Sequence, residues 1–249
     1  MVNIMVEGKS VIVTGGAKGI GRFIAHSFAD QGANVAIADI DEQRLLETSG
    51  ELGEKGVKSL AIPTDVTNES SVQAMTEYVY ETFGSIDILV NDAAVVPHFM
   101  WKDKERWPKV EDMDTSFFWD TVLGVALRGT FLVSKHTVPY MREKRSGHII
   151  NLHGGGGVTP PGALAYATAK DSLITFTKFH AEEVRDSNIC VVIISPGAAI
   201  ATEDAPEEAR NRMPGPDYVG PRFVLCAEAS MEMSGKLLDY EDGVLVVKE

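Results

Sequence analysis

Cysteine is nearly absent from this chain: of 249 residues only Cys190 and Cys226 carry a thiol. With no CxxC pair and no His-Cys cluster at ligand spacing, a disulfide framework and a structural zinc site are excluded, and no metal is expected. Basic residues are in deficit too. Lys and Arg number 23 against 36 Asp and Glu, a net charge of −13, and such a field repels phosphate backbones and anionic headgroups. Nucleic acid and membranes are therefore not expected partners. No uncharged apolar run approaches bilayer length, and no basic-apolar-small leader opens the sequence. Together with the sparing use of cysteine, this leads to the expectation of a soluble, cytoplasmic protein.

Apolar residues make up 44% and charged residues 24%, values of an ordinary globular chain with a substantial core. Short apolar runs recur at Val11–Val13, Val35–Ala38, Ser59–Ile62, Ile86–Val90, His148–Leu152 and Val191–Ile194, separated by stretches with helical spacing. Buried strands alternating with helices predict an α/β fold, a parallel sheet with helices on both faces. No linker, repeat or composition break interrupts it, so residues 1–249 are read as a single domain. Two segments fall outside the alternation: 95–115, which carries Trp101, Trp107 and Pro108, and 198–218, acidic and punctuated by prolines. Both follow strand ends, where open α/β sheets bind ligands, and both are candidate substrate lids.

Between the first strand and the first helix stands TGGAKGIG. Glycines at 15, 19 and 21 turn the chain, let backbone approach a pyrophosphate and pack helix on strand. The loop residues Gly15, Lys18, Gly19, Ile20 and Gly21 are the expected phosphate contacts. Asp39 ends the second strand, 18 residues after Gly21, where a carboxylate can accept both hydroxyls of an adenosine ribose and repel a 2′-phosphate. This favours NAD over NADP. Lys18 pulls the other way, since a basic residue in this loop could reach a 2′-phosphate.

These residues resemble the short-chain dehydrogenase/reductase superfamily over nearly the whole chain. TGGAKGIG is similar to its TGxxxGxG loop, Asp65-Val66 to the pair that holds the adenine ring, and Asn91-Asp92-Ala93-Ala94 to its NNAG, with departures at Asp92 and Ala94. Tyr166 and Lys170 in YATAK match its YxxxK, and Ser195-Pro196-Gly197 followed by Thr202 resembles the segment that contacts the nicotinamide end. The resemblance implies a Rossmann-type, doubly wound parallel sheet and bound NAD held by Asn91, Ala93, Pro196, Gly197 and Thr202 besides the loop. It also implies a homotetramer built through helices that run from about Trp119 and from Tyr166.

Tyr166 and Lys170 are four apart on a predicted helix and share one face. A free phenol has a pKa of about 10, and a neighbouring ammonium, joined by the positive nicotinamide of NAD, is expected to lower it so that the pair can move a proton. The resemblance gives Tyr166 that proton and gives Lys170 the nicotinamide ribose as well. Two other positions of the family's tetrad do not match. Alignment on GTF places Ala126 where the family has asparagine, and the strand HIINLHGGGG ends without serine or threonine. Anchoring on the strand puts Gly154 at the serine position, whereas counting back from Tyr166 puts His153 there. His153 is the candidate substitute donor, because a neutral imidazole still offers one N–H.

The expected activity is NAD-dependent hydride transfer between the nicotinamide and a secondary alcohol or ketone. Phe99, Met100, Trp101 and Trp107 in the first lid suggest an apolar or aromatic small-molecule substrate, while Phe117 and Phe118 are expected to pack the following helix. Two other classes remain open: a lyase or isomerase using Tyr166 with bound cofactor, and a nucleotide-binding protein without turnover.

Overall fold

The computed structural model describes residues 6–96, 108–154, 163–198, 200–203, 205 and 207–248. Phe99, Met100, Trp101 and Trp107 lie outside the described residues. Strand β1 (Ser10–Thr14) leads through the glycine loop into α1 (Gly19–Asp30), then β2 (Asn34–Asp39), α2 (Glu42–Gly53), β3 (Ser59–Pro63), α3 (Glu69–Phe83) and β4 (Ile88–Asn91). The second half continues with α4 (Thr130–Lys144), β5 (Gly147–Leu152), α5 (Leu164–Val184), β6 (Ile189–Ile194), a short α6 (Glu207–Arg210) and α7 (Gly220–Cys226). A hairpin of β7 (Leu237–Glu241) and β8 (Val244–Val247) closes the described chain.

The strands form one sheet in the order β3-β2-β1-β4-β5-β6-β7-β8, parallel except for β8, which runs antiparallel to β7. This is the doubly wound α/β arrangement that the alternation predicts. Along β1, Val11 and Val13 point into a core shared with Ile24 and Phe28 of α1 and Phe223 of α7. Ile12 points the other way, toward Met75 of α3, Leu132 of α4 and Val184 of α5. That period-two alternation, apolar on both sides, is why the runs lack polar positions.

The order reverses between β1 and β4, and the crevice at such a reversal is where open sheets bind ligands. Local signals fix the connections around it. The Asn68 side chain accepts the Ser70 and Ser71 N–H groups at the start of α3, and Gly84 ends that helix in the left-handed region at φ 82°. Asp87, at the entrance of β4, accepts the Ser10 N–H at 2.8 Å and pairs with Lys144 at the end of α4. The start of β4 is thereby tied to its neighbour strand and to a helix.

The sequence reading did not include the β7–β8 hairpin, although its turn carries an Asp-Gly signal: Asp242 and Gly243 both have positive φ, 47° and 90°. Nor did it foresee the wide turns ahead of α4. Residues Thr115–Thr121 and Gly124–Gly129 are π-helical, and Ala126 is buried there. The whole helix Thr115–Lys144 is long and apolar enough to cross a membrane by length and composition. Its buried residues Val122, Leu132, Val133 and Met141 instead face the protein, and it packs against α3 and α5.

Candidate active site

The glycine loop meets the strand end of β4. Gly15 has φ 72°, and a β-carbon on it would lie 2.9 Å from the Ala93 Cα, so the loop needs glycine there on both counts. A β-carbon on Gly21 would overlap the Gly15 carbonyl oxygen and lie 2.7 Å from Asp92 Oδ2. By contrast, a β-carbon on Gly19, at φ 60°, would meet nothing within 4 Å. The loop is therefore packed on its inner side and open at the start of α1. The Gly19 N–H donates to Glu203 Oε1 at 2.9 Å, so a carboxylate from the second candidate lid sits on the helix N-terminus.

Asp39 ends β2 beside this loop. Its Oδ2 accepts the Ala17 N–H and its Oδ1 the Asp41 N–H, both at 3.2 Å, which holds the carboxylate at the rim of the crevice. Lys18 stands at the N-cap of α1. Asp65 Oδ1 accepts the Thr67 N–H at 2.8 Å, and Val66 is buried. Thr202 is also buried and lines a cavity of about 400 Å³ with Ala17, Arg22 and Arg44, on the glycine-loop side. Gly197 takes φ 79°, with the Arg222 guanidinium packed beneath it and donating to the Pro196 carbonyl at 3.3 Å.

Asn91, the last residue of β4 and an expected cofactor contact, donates from its amide to Asn151 Oδ1 at 2.9 Å and to Ser134 Oγ of α4 at 3.4 Å, and Asn151 in turn donates to Thr177 Oγ1 at 2.8 Å. This buried chain links β4, β5, α4 and α5, and leaves the Asn91 Oδ1 without a partner among the described residues. Asp92, one residue on, points to the opposite side and accepts the Gly21 N–H. The sequence reading noted Asp92 as a departure and gave it no role; the available signal was an acidic residue directly after an apolar strand.

Tyr166 and Lys170 rise from the first turns of α5. Lys170 is 1% exposed, and its Nζ donates to the Leu152 carbonyl at 2.9 Å while lying 5.9 Å from the centre of the Tyr166 ring. Burial pushes the ammonium down to about 8, and the Asp92 carboxylate limits that fall. In the chain by itself burial, and then the Asp92 carboxylate, push the Tyr166 phenol above its usual range.

The structure also resolves the two alignments of the missing serine. A β-carbon on Gly154 would lie 2.7 Å from Tyr166 Oη, so Gly154 faces the phenol. His153 is corrected as the facing donor: its N–H continues the strand pairing to Ile194 O at 2.9 Å, and its Nε2 contacts Asp171 Oδ1 at 3.1 Å. The extended backbone sends adjacent side chains to opposite sides, and His153 is the one turned away.

A parallel sheet with a glycine loop at its reversal point, and Tyr166 with the buried Lys170 at the start of the helix that follows β5, define a dinucleotide-binding oxidoreductase class. The chain belongs to the short chain dehydrogenase family, whose profile matches residues 9–212. It is 30% identical over 257 residues to a 3-oxoacyl-[acyl-carrier-protein] reductase of Aquifex aeolicus (strain VF5), covering 98% of this chain and 100% of that protein. Among solved structures it resembles a 7α-hydroxysteroid dehydrogenase complexed with NADH and 7-oxo glycochenodeoxycholic acid, with a TM-score of 0.82, 26% identity and coverage of 99% and 98%. A short-chain dehydrogenase from Burkholderia cenocepacia J2315, in complex with NADP, is similar at a TM-score of 0.81, 25% identity and coverage of 96% and 98%.

Proposed function

We propose that this chain is an NAD-dependent oxidoreductase that interconverts a secondary alcohol and a ketone, with an apolar or aromatic substrate. The observation that carries the reading is the pair of Tyr166 and the buried Lys170 beside the glycine loop. The N-terminus of α1, which already holds the Glu203 carboxylate on the Gly19 N–H, and the carboxylate of Asp39 fit the phosphates and the free 2′-hydroxyl of a dinucleotide that would displace Glu203. Gly15, Lys18, Gly19, Ile20 and Gly21 would hold its phosphates, Asp65 and Val66 its adenine end, and Ala93, Pro196, Gly197 and Thr202 its nicotinamide half. When bound, it supplies the hydride acceptor or donor.

The protein's own part is proton transfer and orientation. Tyr166 Oη exchanges a proton with the substrate oxygen, donating during carbonyl reduction and accepting during alcohol oxidation. Lys170, anchored on the Leu152 carbonyl, keeps positive charge beside the ring and favours the phenolate that forms. The acidic second lid disfavours a highly anionic substrate. Tyr166→Phe is expected to leave NAD binding nearly intact and lower hydride transfer by about 10²-fold or more, read from the near-ultraviolet absorbance of reduced nicotinamide with a panel of secondary alcohols and ketones. Turnover of Tyr166→Phe at the unmodified rate would overturn the assignment.

One observation favours a second reading. Gly154 and Ala126 supply no polar side chain at the serine and asparagine positions, and one missing oxyanion donor can cost about 3–4 kcal/mol. A lyase or isomerase that uses Tyr166 without net hydride transfer fits that loss. It would convert substrate with no change in nicotinamide absorbance.

We propose further that the chain assembles as a homotetramer and works in the cytoplasm. Trp119, Leu123, Leu127, Phe131 and Phe176 form an open apolar groove, and Phe131 is 48% exposed, a surface of the kind that a second copy covers. Phe131→Arg is expected to lower the mass found by sedimentation equilibrium.

A further inference from the structure

The buried carboxyl of Asp92 is wedged between the glycine loop and the Tyr166–Lys170 pair. Its backbone N–H donates to Thr14 Oγ1 at 3.2 Å, which fixes the residue at the crest of β1 and β4. The carboxyl accepts the Gly21 N–H, and Oδ2 lies within 2.7 Å and 3.3 Å of where β-carbons of Gly21 and Gly15 would stand. Oδ1 is shut off from solvent and has no hydrogen-bond partner among the described residues. A carboxylate with a buried, unpartnered oxygen is costly; protonation removes the charge and turns one oxygen into a donor.

The charged and titratable groups around it come from three elements. Lys170 of α5 favours the ionised form, Asp39 at the end of β2 opposes it, and Tyr166 of α5 is itself raised by the Asp92 charge. The N-terminus of α1 contributes the Gly21 N–H. Burial dominates this balance and pushes the carboxyl up to about 7.

We infer that Asp92 couples dinucleotide binding to uptake of a proton, so that the coenzyme binds preferentially to the chain in which Asp92 is a neutral carboxylic acid. This rests on the reading that the glycine loop holds a dinucleotide. Phosphates placed at that loop add negative charge beside Asp92, which raises its proton affinity in the bound state. By reciprocity the proton raises affinity for the dinucleotide. The sign follows: affinity is highest below the free midpoint and falls as pH rises through the window between the free and bound midpoints. Neutralising Asp92 also removes the lesser of the two influences that raise the Tyr166 phenol, burial being the larger.

The test is carbon-13 NMR of aspartate side-chain carboxyls in the whole chain, titrated free and saturated with NAD, with Asp92→Asn to assign the signal. One carboxyl titrating near neutrality is expected, and its proton affinity should rise about tenfold with NAD. Calorimetry of NAD binding at about pH 7.5 in buffers of different ionisation heat should then show uptake of about half a proton for such a coupling. NAD affinity should fall up to about tenfold across the window in the unmodified chain and change less than about twofold in Asp92→Asn. An Asp92 carboxyl that titrates in the ordinary range, or whose midpoint ignores NAD, overturns the inference while leaving coenzyme binding standing. Failure of NAD and NADP alike to bind overturns both, and the titration of the free chain then shows whether Asp92 holds its proton regardless. Should Asp92→Asn fail to fold, the free and NAD-saturated titrations of the unmodified chain still decide.

Discussion

Gly154 stands directly across from the Tyr166 hydroxyl, so close that a β-carbon on residue 154 would come within 2.7 Å of Oη. Any side chain there must move the phenol. Gly154→Ala is therefore expected to lower kcat by about tenfold, since small misplacements of a reacting group are costly. Gly154→Ser should recover part of that loss, because its hydroxyl can hydrogen-bond both the phenol and a substrate oxygen. Steady-state kinetics of the two variants provide the check; equal activity of Ala and Ser would show that the hydroxyl reaches neither.

His153 should be a stability residue. Its imidazole contacts Asp171 and its side chain is buried, so His153→Ala is expected to cost about 1–2 kcal/mol by loss of packing and of one hydrogen bond. Denaturant unfolding measures that cost. The variant should keep kcat within about twofold once folded; a fall of about 10²-fold would return His153 to the reacting centre.

Asp39 should decide between the two dinucleotides. Its carboxylate is fixed by the Ala17 and Asp41 N–H groups, and a 2′-phosphate brought to it would meet like charge. Asp39→Ser is predicted to shift the ratio of NAD to NADP dissociation constants toward NADP by about tenfold or more, roughly 1.4 kcal/mol. Fluorescence titration of both coenzymes reads the ratio, and an unchanged ratio would place specificity elsewhere, with Lys18 the next residue to test.

Asp87 makes folding sensitive to acid. Burial opposes its ionisation, but the Lys144 ammonium and the Ser10 and Ser85 donors outweigh it and hold the carboxyl below its ordinary value. A group with a depressed folded pKa contributes its stability fully above the unfolded value of about 3.9 and loses it as pH falls through the folded one. Asp87→Asn is thus expected to destabilise the protein by about 1–3 kcal/mol near neutrality. The difference should shrink below about pH 4, which thermal unfolding across the acid range would show.

Much of this architecture is written locally. Six of the seven parallel strands were legible because each is a short apolar run, buried on both faces in all but the edge strand β3, and the helices between them show their own periodicity. The glycine loop, Asp39 and the Tyr-Lys spacing were legible for the same reason: a fixed offset along one strand, turn or helix is a distance that sequence alone sets. The β7–β8 hairpin was readable as well, through Asp242-Gly243 and the apolar run Val244–Val247, but it stands at one edge of the sheet, outside the alternation of strand and helix.

What the sequence could not fix were relationships between segments far apart in the chain. Whether His153 or Gly154 faces Tyr166 turns on a single step of strand register, and one step reverses which side a residue presents. That the Asn91 amide reaches Asn151, and through it Thr177, 60 and 86 positions later, is visible only in three dimensions. Asp92 is only a departure from a family pattern in the sequence; the glycine loop, β2 and α5 close around it in the fold and strip its carboxyl of water. Local spacing was enough to give the fold, the glycine loop and the Tyr166–Lys170 pair. Which groups face that pair depends on how remote segments come together, because burial and distance between them set proton affinities that no local pattern encodes.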